Sequence, residues 1–320
     1  MNKPVLSVII PVYNVSKYLE DNVESLINQT LQNIEFIFVN DGSTDNSLDI
    51  LKKYSNINSN IKIINQKNSG ISVARNNGLK ASSGKYICFL DSDDYVEKNY
   101  YEKLVNVMES TGADIAVSDL IFFWGENDNR NYIMRGINEK YKHISINRSA
   151  LLSPLFAWNK VFKREFFDIE FQENTWYEDL EVITYMFARA KKIEHVKDAF
   201  VFYRQRENSV MSTKSIRCVE IFGVLEKIYK RFNETELLNV YYDEIEYLFI
   251  ENLLLYGQFR LMALDNYRDL NIKARKFIKL YFPEYRKNIY VKNLSLKYRL
   301  FISFNNRFTC GLFRKVVIKW

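Results

Sequence analysis

Three apolar runs dominate the first hundred residues, VLSVII, IEFIFV and YICFL, and each stops at small or acidic residues rather than alternating with polar ones. A strand that is apolar on both faces belongs inside a sheet covered on both sides, which is the habit of parallel strands linked by helices. The intervening segments agree with that reading. Strands are predicted at residues 5–10, 34–40, 61–65 and 86–90, with helices from Ser16 to about Gln29, from about Asp45 to Tyr54, and over 70–81. The chain is thus an α/β protein whose mostly parallel sheet carries flanking helices. Ligands of such sheets bind just beyond the carboxyl ends of the strands. Tyr13-Asn14, Asp41-Gly42-Ser43 and Asp91-Ser92-Asp93 therefore share one rim, although they are far apart in sequence.

That rim has the residue types for nucleotide chemistry. Asp91 and Asp93, one residue apart at a strand end, can face one divalent cation that neutralises a diphosphate leaving group. The same aspartates read equally as the cap of a helix starting near Glu97, with Asp93 or Asp94 at the N-cap. Asp41 can accept the imide hydrogen of a uracil ring, whereas Gly42, Ser43 and Asp45 fit a turn and a capped helix. Arg75 falls inside the helix of NSGISVARNNGL, where an arginine is commonly solvated. Glu178-Asp179 opens the segment that continues LEVITYMFARA, and an acidic first turn is also what the helix dipole favours. With His143 and His195 the only histidines, a metal here has to be held by carboxylates, which points to Mg²⁺ or Mn²⁺.

Taken together and in order, SVIIPVYN, VNDGSTD, NSGISVARNNGL and FLDSDD resemble the family 2 glycosyltransferases, inverting bacterial enzymes of the GT-A fold that include the capsule and exopolysaccharide type. The resemblance covers residues 6–212. It implies a UDP-sugar donor, with Pro11 and Tyr13 lining the uracil pocket, Asp41 bonding the base and Arg75 flanking it. Asp91 would approach ribose and metal, Ser92 would sit with it in the donor site, and Asp93 would be the main metal ligand. The family's Glu-Asp pair is matched by Glu178-Asp179, which makes Asp179 the base that takes the acceptor's proton. Trp158 and Lys160 in AWNKV, and Arg204 and Arg206 in FYRQR through Ser209, fall where relatives shape the acceptor side and a loop over the donor. Lys160, Arg204 or Arg206 could meet phosphate, and Trp158 could offer its ring to a sugar or belong to the core.

The remainder of the chain differs in character. After about Lys214 the pattern is helical, clearest at 234–264, so residues 1–212 are read as the catalytic domain and 213–320 as a helical extension. The net charge of +6 is concentrated at the end: residues 285–320 hold nine basic side chains and no acidic one, leaving 36 basic against 39 acidic in the rest, a net of −3. Cations interleaved with Leu, Ile, Phe and Trp suit an anionic membrane surface better than nucleic acid, which is not expected as a partner. The other reading of the tail is a helix packed on its own domain. No run is long and apolar enough to span a bilayer, and Cys88, Cys218 and Cys310 lack the spacing of a disulfide framework or zinc site. These features lead to the expectation of a cytoplasmic protein peripheral to the inner face of the membrane, and, taken with the family resemblance, the basic tail implies a lipid-linked saccharide as acceptor. Whether it forms homo-oligomers stays open. A nucleotidyltransferase, or an idle homologue that activates another transferase, are the competing readings.

Overall fold

The computed structural model of the protein describes residues 3–206, 214–306 and 308–317; Ser209 and the end of the expected catalytic domain at 212 lie outside them. The chain divides into two compact units, Met1–Asn174 with Glu178–Glu207, and Thr175–Tyr177 with Asn208–Trp320. The first unit runs β1 (Leu6–Val12), α1 (Ser16–Ile27), β2 (Ile34–Asp41), α2 (Ser47–Ser55), β3 (Ile61–Gln66), α3 (Ile71–Ala81), β4 (Tyr86–Phe89), β5 (Tyr95–Val96), α4 (Tyr100–Thr111), β6 (Ile115–Phe123), β7 (Tyr132–Met134), α5 (Ile146–Leu151), β8 (Lys160–Lys163), α6 (Glu178–Arg189) and β9 (Ile193–Arg204).

Its nine strands form one sheet in the order β3-β2-β1-β4-β8-β6-β9-β5, with β7 added to β6. The expected parallel series is the β3-β2-β1-β4 half. Beyond it the sheet is mixed, because β8 runs antiparallel to both β4 and β6 while β9 returns parallel to β6. Every residue of β1 and β2 is buried, as their unbroken apolar runs require. Successive residues serve opposite faces: Phe36 and Phe38 join the large core under α1 and α4, and Ile37 and Val39 meet Ala74 of α3. Pro11 lies beyond Ile9↔Phe89, the last β1–β4 pair, so its missing N–H leaves no gap in that ladder.

Helix α3 sits unusually close to the sheet. A Cβ on Gly78 would stand 2.4 Å from Cγ2 of Ile9 and 3.2 Å from Cγ2 of Val39, so only glycine permits this approach. The tight contact fixes the height of the helix that carries Arg75.

In the second unit the helical pattern expected over 234–264 is divided among four helices, α7 (Ile221–Glu234), α8 (Leu237–Val240), α9 (Tyr242–Leu254) and α10 (Tyr256–Ala263). Glu236 takes a left-handed φ of 59°, and Leu255 leaves helical geometry at ψ −111°. α11 (Tyr267–Tyr281), α12 (Ile289–Lys292), α13 (Leu296–Phe304) and α14 (Cys310–Val317) follow. Phe249, Phe277, Tyr281 and Phe282 form an aromatic cluster between α9 and α11. All three cysteines are free and buried, and among the described residues no helix is long and apolar enough to cross a membrane.

At the amino ends of the strands, Glu35 ties four segments together. Its Oε1 accepts from Ser7 Oγ at 2.6 Å and from the backbone N of Ser83 at 2.7 Å, while Oε2 accepts from Lys62 Nζ at 2.6 Å. Burial opposes its ionisation, but these donors outweigh burial and hold its pKa down to about 2. A depressed carboxyl stabilises the fold above its unfolded value of 4.5, and the contribution fades as pH falls towards 2. Glu35→Gln is therefore expected to cost about 2 to 3 kcal/mol at pH 7, with the gap to wild type narrowing in urea titrations taken from about pH 5 to pH 3. A gap that stays constant over that range would contradict the assignment.

Candidate active site

The turns after β1, β2 and β4 meet on one rim. Backbone N of Asn14 donates to Ser43 Oγ at 3.1 Å, and backbone N of Thr44 donates to Asn14 Oδ1 at 2.8 Å, so the first two turns are stitched together. Tyr13 stands beside them with its ring about half exposed. Gly42 is required at its turn, since its φ is +70° and a Cβ would lie 2.7 Å from the backbone N of Asn68. Asp41 is buried, with Oδ1 accepting from Gln66 Nε2 and Ser69 N and Oδ2 from Gly70 N, each at 2.8 Å. A carboxylate has about four lone-pair positions, which leaves Asp41 one for a further donor.

Arg75 corrects an expectation. It is 2 % exposed rather than solvated and clamps protein groups instead of flanking an open base pocket. Nη1 donates to Glu178 Oε1 at 2.6 Å and Nη2 to Asp91 Oδ1 at 3.1 Å, and the guanidinium lies over the Phe171 ring at 5.4 Å. Phe171 is held there by Asn76, whose amide exchanges two hydrogen bonds with the Phe171 backbone. Burial disfavours the guanidinium charge, yet Glu178, Asp91 and Asp179 raise its pKa overall. Asp91 and Glu178, far apart in sequence, are thereby joined through one cation.

The acidic turn after β4 is not a helix cap, because α4 begins at Tyr100 with Asn99 at its N-cap position. It is held from below by Asn22 of α1, whose Nδ2 donates to the carbonyls of Asp91 and Asp94 at 3.2 and 2.8 Å. Ser92 is buried within the turn. Arg204 braces it from β9: its backbone N donates to Asp94 Oδ1, Nε to the Asp93 carbonyl and Nη2 to Asp21 Oδ2. Arg204 thus serves the turn, not a phosphate. Arg206 Nε forms an ion pair with Asp93 Oδ2 at 2.7 Å and keeps more of its guanidinium in solvent. Burial first, and then Asp91, push the Asp93 carboxyl up; Asp94 is pushed further by burial, Asp93 and Asp91.

One further expectation is overturned, at Lys160, and one choice left open, at Trp158, is decided for the core. Lys160 is fully buried, and its ammonium donates to the carbonyls of Pro154 and Phe156 and to Asn159 Oδ1, so it does not reach out to phosphate. Burial lowers its pKa to about 7 against the opposing pull of Asp179 and Cys88. Trp158 belongs to the core, stacked on Phe156 and on Tyr203 with ring centroids 5.0 Å apart in each case.

Asp179 lies in the first turn of α6 directly after Tyr177, which takes a left-handed φ of 64° that a bulky side chain rarely adopts. No described residue donates a hydrogen bond to its carboxylate. Burial and then Glu178 push its pKa up to about 7, with Asp91 adding to them and Arg75 and Lys160 pulling it back. An unbonded carboxylate tuned near neutrality is a competent general base.

Residues 7–169 match the family model for glycosyl transferase family 2. The chain belongs to that family. The matched span holds the turns after β1, β2 and β4 and Arg75, whereas Asp179 and Arg206 lie beyond it. Among curated relatives, glycosyltransferase GlyG of Streptococcus pneumoniae is 28 % identical, with 89 % of this chain aligned to 98 % of that one. The cholesterol galactosyltransferase of Borreliella burgdorferi is 32 % identical over 74 % of this chain and 72 % of its own. Other curated relatives are longer, the chain spanning 63 % of one and 31 % of another. The fold is shared with S. aureus TarS 1–349 solved with UDP-GlcNAc, at TM-score 0.74 and 22 % identity, covering 97 % of this chain and 91 % of that one.

The acidic turn suits the hard cation that this family fold implies. Its candidate ligand atoms are all carboxylate oxygens, and Asp94 Oδ2 is buried with no hydrogen-bond partner among the described residues. Among the described residues no three acidic, histidine or cysteine side chains form a chelating group, which fits an ion shared between one or two carboxylates and substrate phosphates. Asp93 and Asp91 are the residues that would hold it.

Sequence reasoning missed Asn22 and Asp94 as parts of the site. Asn22 had a visible signal, a polar residue within the buried stripe Leu19, Val23 and Leu26 of α1. The Arg75 clamp leads to a test. Arg75→Met leaves Glu178 and Asp91 partly buried without their cation, so it is expected to lower stability by about 3 to 5 kcal/mol. Thermal melts check the first effect. Isothermal titration with UDP should also show weaker binding, and unchanged stability would refute the clamp.

Proposed function

We propose that the protein is an inverting transferase that moves a hexose or N-acetylhexosamine from a UDP-sugar to a saccharide acceptor carried on a lipid, in the assembly of a bacterial cell-surface polysaccharide. The observation that carries this reading is Asp179, a partly buried carboxylate to which no described residue donates a hydrogen bond and whose pKa is raised to about 7, next to Glu178, which Arg75 joins to Asp91 of the acidic turn. Asp179 takes the proton of the acceptor hydroxyl as its oxygen attacks the anomeric carbon. The bond from that carbon to the diphosphate oxygen breaks on the opposite face, and UDP leaves with both electrons. Bound at Asp93 and Asp91, Mg²⁺ or Mn²⁺ would supply neutralising charge to the diphosphate. Tyr13 and the remaining lone pair of Asp41 suit a uracil ring at the β1–β2 end of the rim, and Arg206 is the cation with freedom to meet a phosphate.

UDP-GlcNAc in the TarS complex supports a uridine donor, and the cholesterol substrate named for the Borreliella relative supports an acceptor held in a membrane. A nucleotidyltransferase has no use for a base at Asp179, and an idle partner protein has no reason to keep every carboxylate.

The test is release of UDP from a panel of UDP-sugars with Mn²⁺ and a lipid-linked saccharide. Asp179→Asn is expected to lower transfer by about 10² to 10⁴-fold with little change in donor affinity. A carboxyl whose pKa is raised costs stability increasingly above its unfolded value of 3.8, and fully above about 7. The Asn variant should therefore melt no lower than wild type at pH 8, which separates lost chemistry from lost folding. Wild-type transfer should rise with pH through about 7 as Asp179 ionises. Near wild-type transfer by Asp179→Asn would overturn the assignment. Asp93→Ala should weaken Mn²⁺ and UDP binding together in calorimetry, and an unchanged Mn²⁺ dependence would refute its role.

A further inference from the structure

We propose that α13 and the start of α14 form a lipid-facing surface that seats the protein on an anionic bilayer. The inference rests on the proposed function only for its purpose, since a membrane-held acceptor needs a transferase beside it. The docking itself follows from how α13 is built.

Helix α13 is apolar on two faces. One face is used within its own unit: Phe301 and Ile302 are buried, Phe301 meets Phe313 of α14 edge to face at 5.1 Å, and Arg275 donates to the carbonyls of Ile302 and Asn305 at the helix end. The helix is therefore anchored. Its other face carries Leu296, Leu300 and Phe304, spaced four apart and so forming one row along the surface. Phe308, in the turn beyond α13, and Leu312, in α14, are exposed apolar residues as well. All five are between 44 % and 90 % exposed. An ordinary amphipathic helix turns polar groups outward once its apolar stripe is buried, and this one does not.

Charge selects the occupant. At about 100° per residue, Lys297 lies on one side of the row and Arg299 on the other, and both are exposed. The sequence from residue 285 to the end contains no acidic residue to oppose them. A second copy of the chain pairing through this row would bring like charges together. An anionic bilayer accepts both elements at once, with the apolar row at the acyl boundary and the flanking cations among the headgroups.

The experiment uses the full chain and vesicles of phosphatidylcholine with or without phosphatidylglycerol. Wild type should co-sediment with the phosphatidylglycerol vesicles at low salt, lose most of that binding at high salt, and bind phosphatidylcholine weakly. Replacing Lys297 and Arg299 by Gln should weaken binding by about fivefold per charge, and the Leu300→Ser, Phe304→Ser pair by about tenfold or more. UDP release in solution should stay unchanged in both, as neither replaces a residue of the candidate active site. For a readout independent of how well these variants fold, a polarity-sensitive dye on Phe308→Cys should shift to the blue with anionic vesicles, and the three native cysteines are buried and will not compete for label. Full-length protein that ignores anionic vesicles at low salt, a label at 308 that reports no change, or a wild-type dimer abolished by Leu300→Ser, Phe304→Ser would each overturn the proposal. Vesicle binding by a protein that releases UDP from no sugar would instead overturn the proposed function and leave the docking surface standing.

Discussion

A guanidinium removed from water cannot stand alone, and Arg75 is almost wholly removed. Its charge has to be met by carboxylates at hydrogen-bond distance, and the two that meet it come from the turn after β4 and from the first turn of α6. The donor-side turn and the helix that carries Asp179 are therefore fixed relative to each other through one side chain. That side chain is in turn fixed by Gly78, three residues on, whose missing Cβ lets α3 sink against Ile9 and Val39. The geometry of the chemistry is in this way set by the packing of a helix on a sheet.

The parallel half of the sheet could be read from the sequence because its strands are buried on both faces, and an unbroken apolar run such as IEFIFV has few other uses. Predicted strand limits there fall within about two residues of β1, β2, β3 and β4. The other half could not be read this way. β5 has two residues, β7 has three, and β8 reads as part of a longer mixed segment, so none carries a period long enough to register. The breaks at Glu236 and Leu255 were equally hidden, since neither carries proline or glycine at the break itself and the apolar spacing runs through them.

Within the site, residue types were legible and partnerships were not. The four motifs do meet on one rim, yet an arginine in a helix gives no sign of whether it will face water or a glutamate a hundred residues away. Lys160 was misread for the same reason, and Trp158 stayed open between a sugar-facing ring and the core. Each is of a type that suits a ligand, and burial is a property of the assembled sheet: Lys160 sits on β8, enclosed by its own preceding loop, and Trp158 lies between Phe156 and Tyr203 in sequence-distant company. Asn22 shows the converse, a polar residue whose position in an apolar stripe announced a structural task.

The enclosure of Lys160 bears on how Asp179 could serve as the proposed base. Any donor that bonded the Asp179 carboxylate directly would favour its ionised form and lower its appetite for a proton. With no cation nearby, burial beside Glu178 and Asp91 would hold it protonated at neutral pH, equally unable to accept one. Lys160 acts between these limits. Its three donors are occupied by Pro154, Phe156 and Asn159, so it exerts charge on Asp179 while remaining tied to its own loop. Arg75 does the same from the other side, bonded to Glu178 and Asp91. Both groups are buried, both are held by neighbours other than Asp179, and Asp179 is left with a pKa of about 7, close to the pH at which proton transfer by a proposed base is most useful.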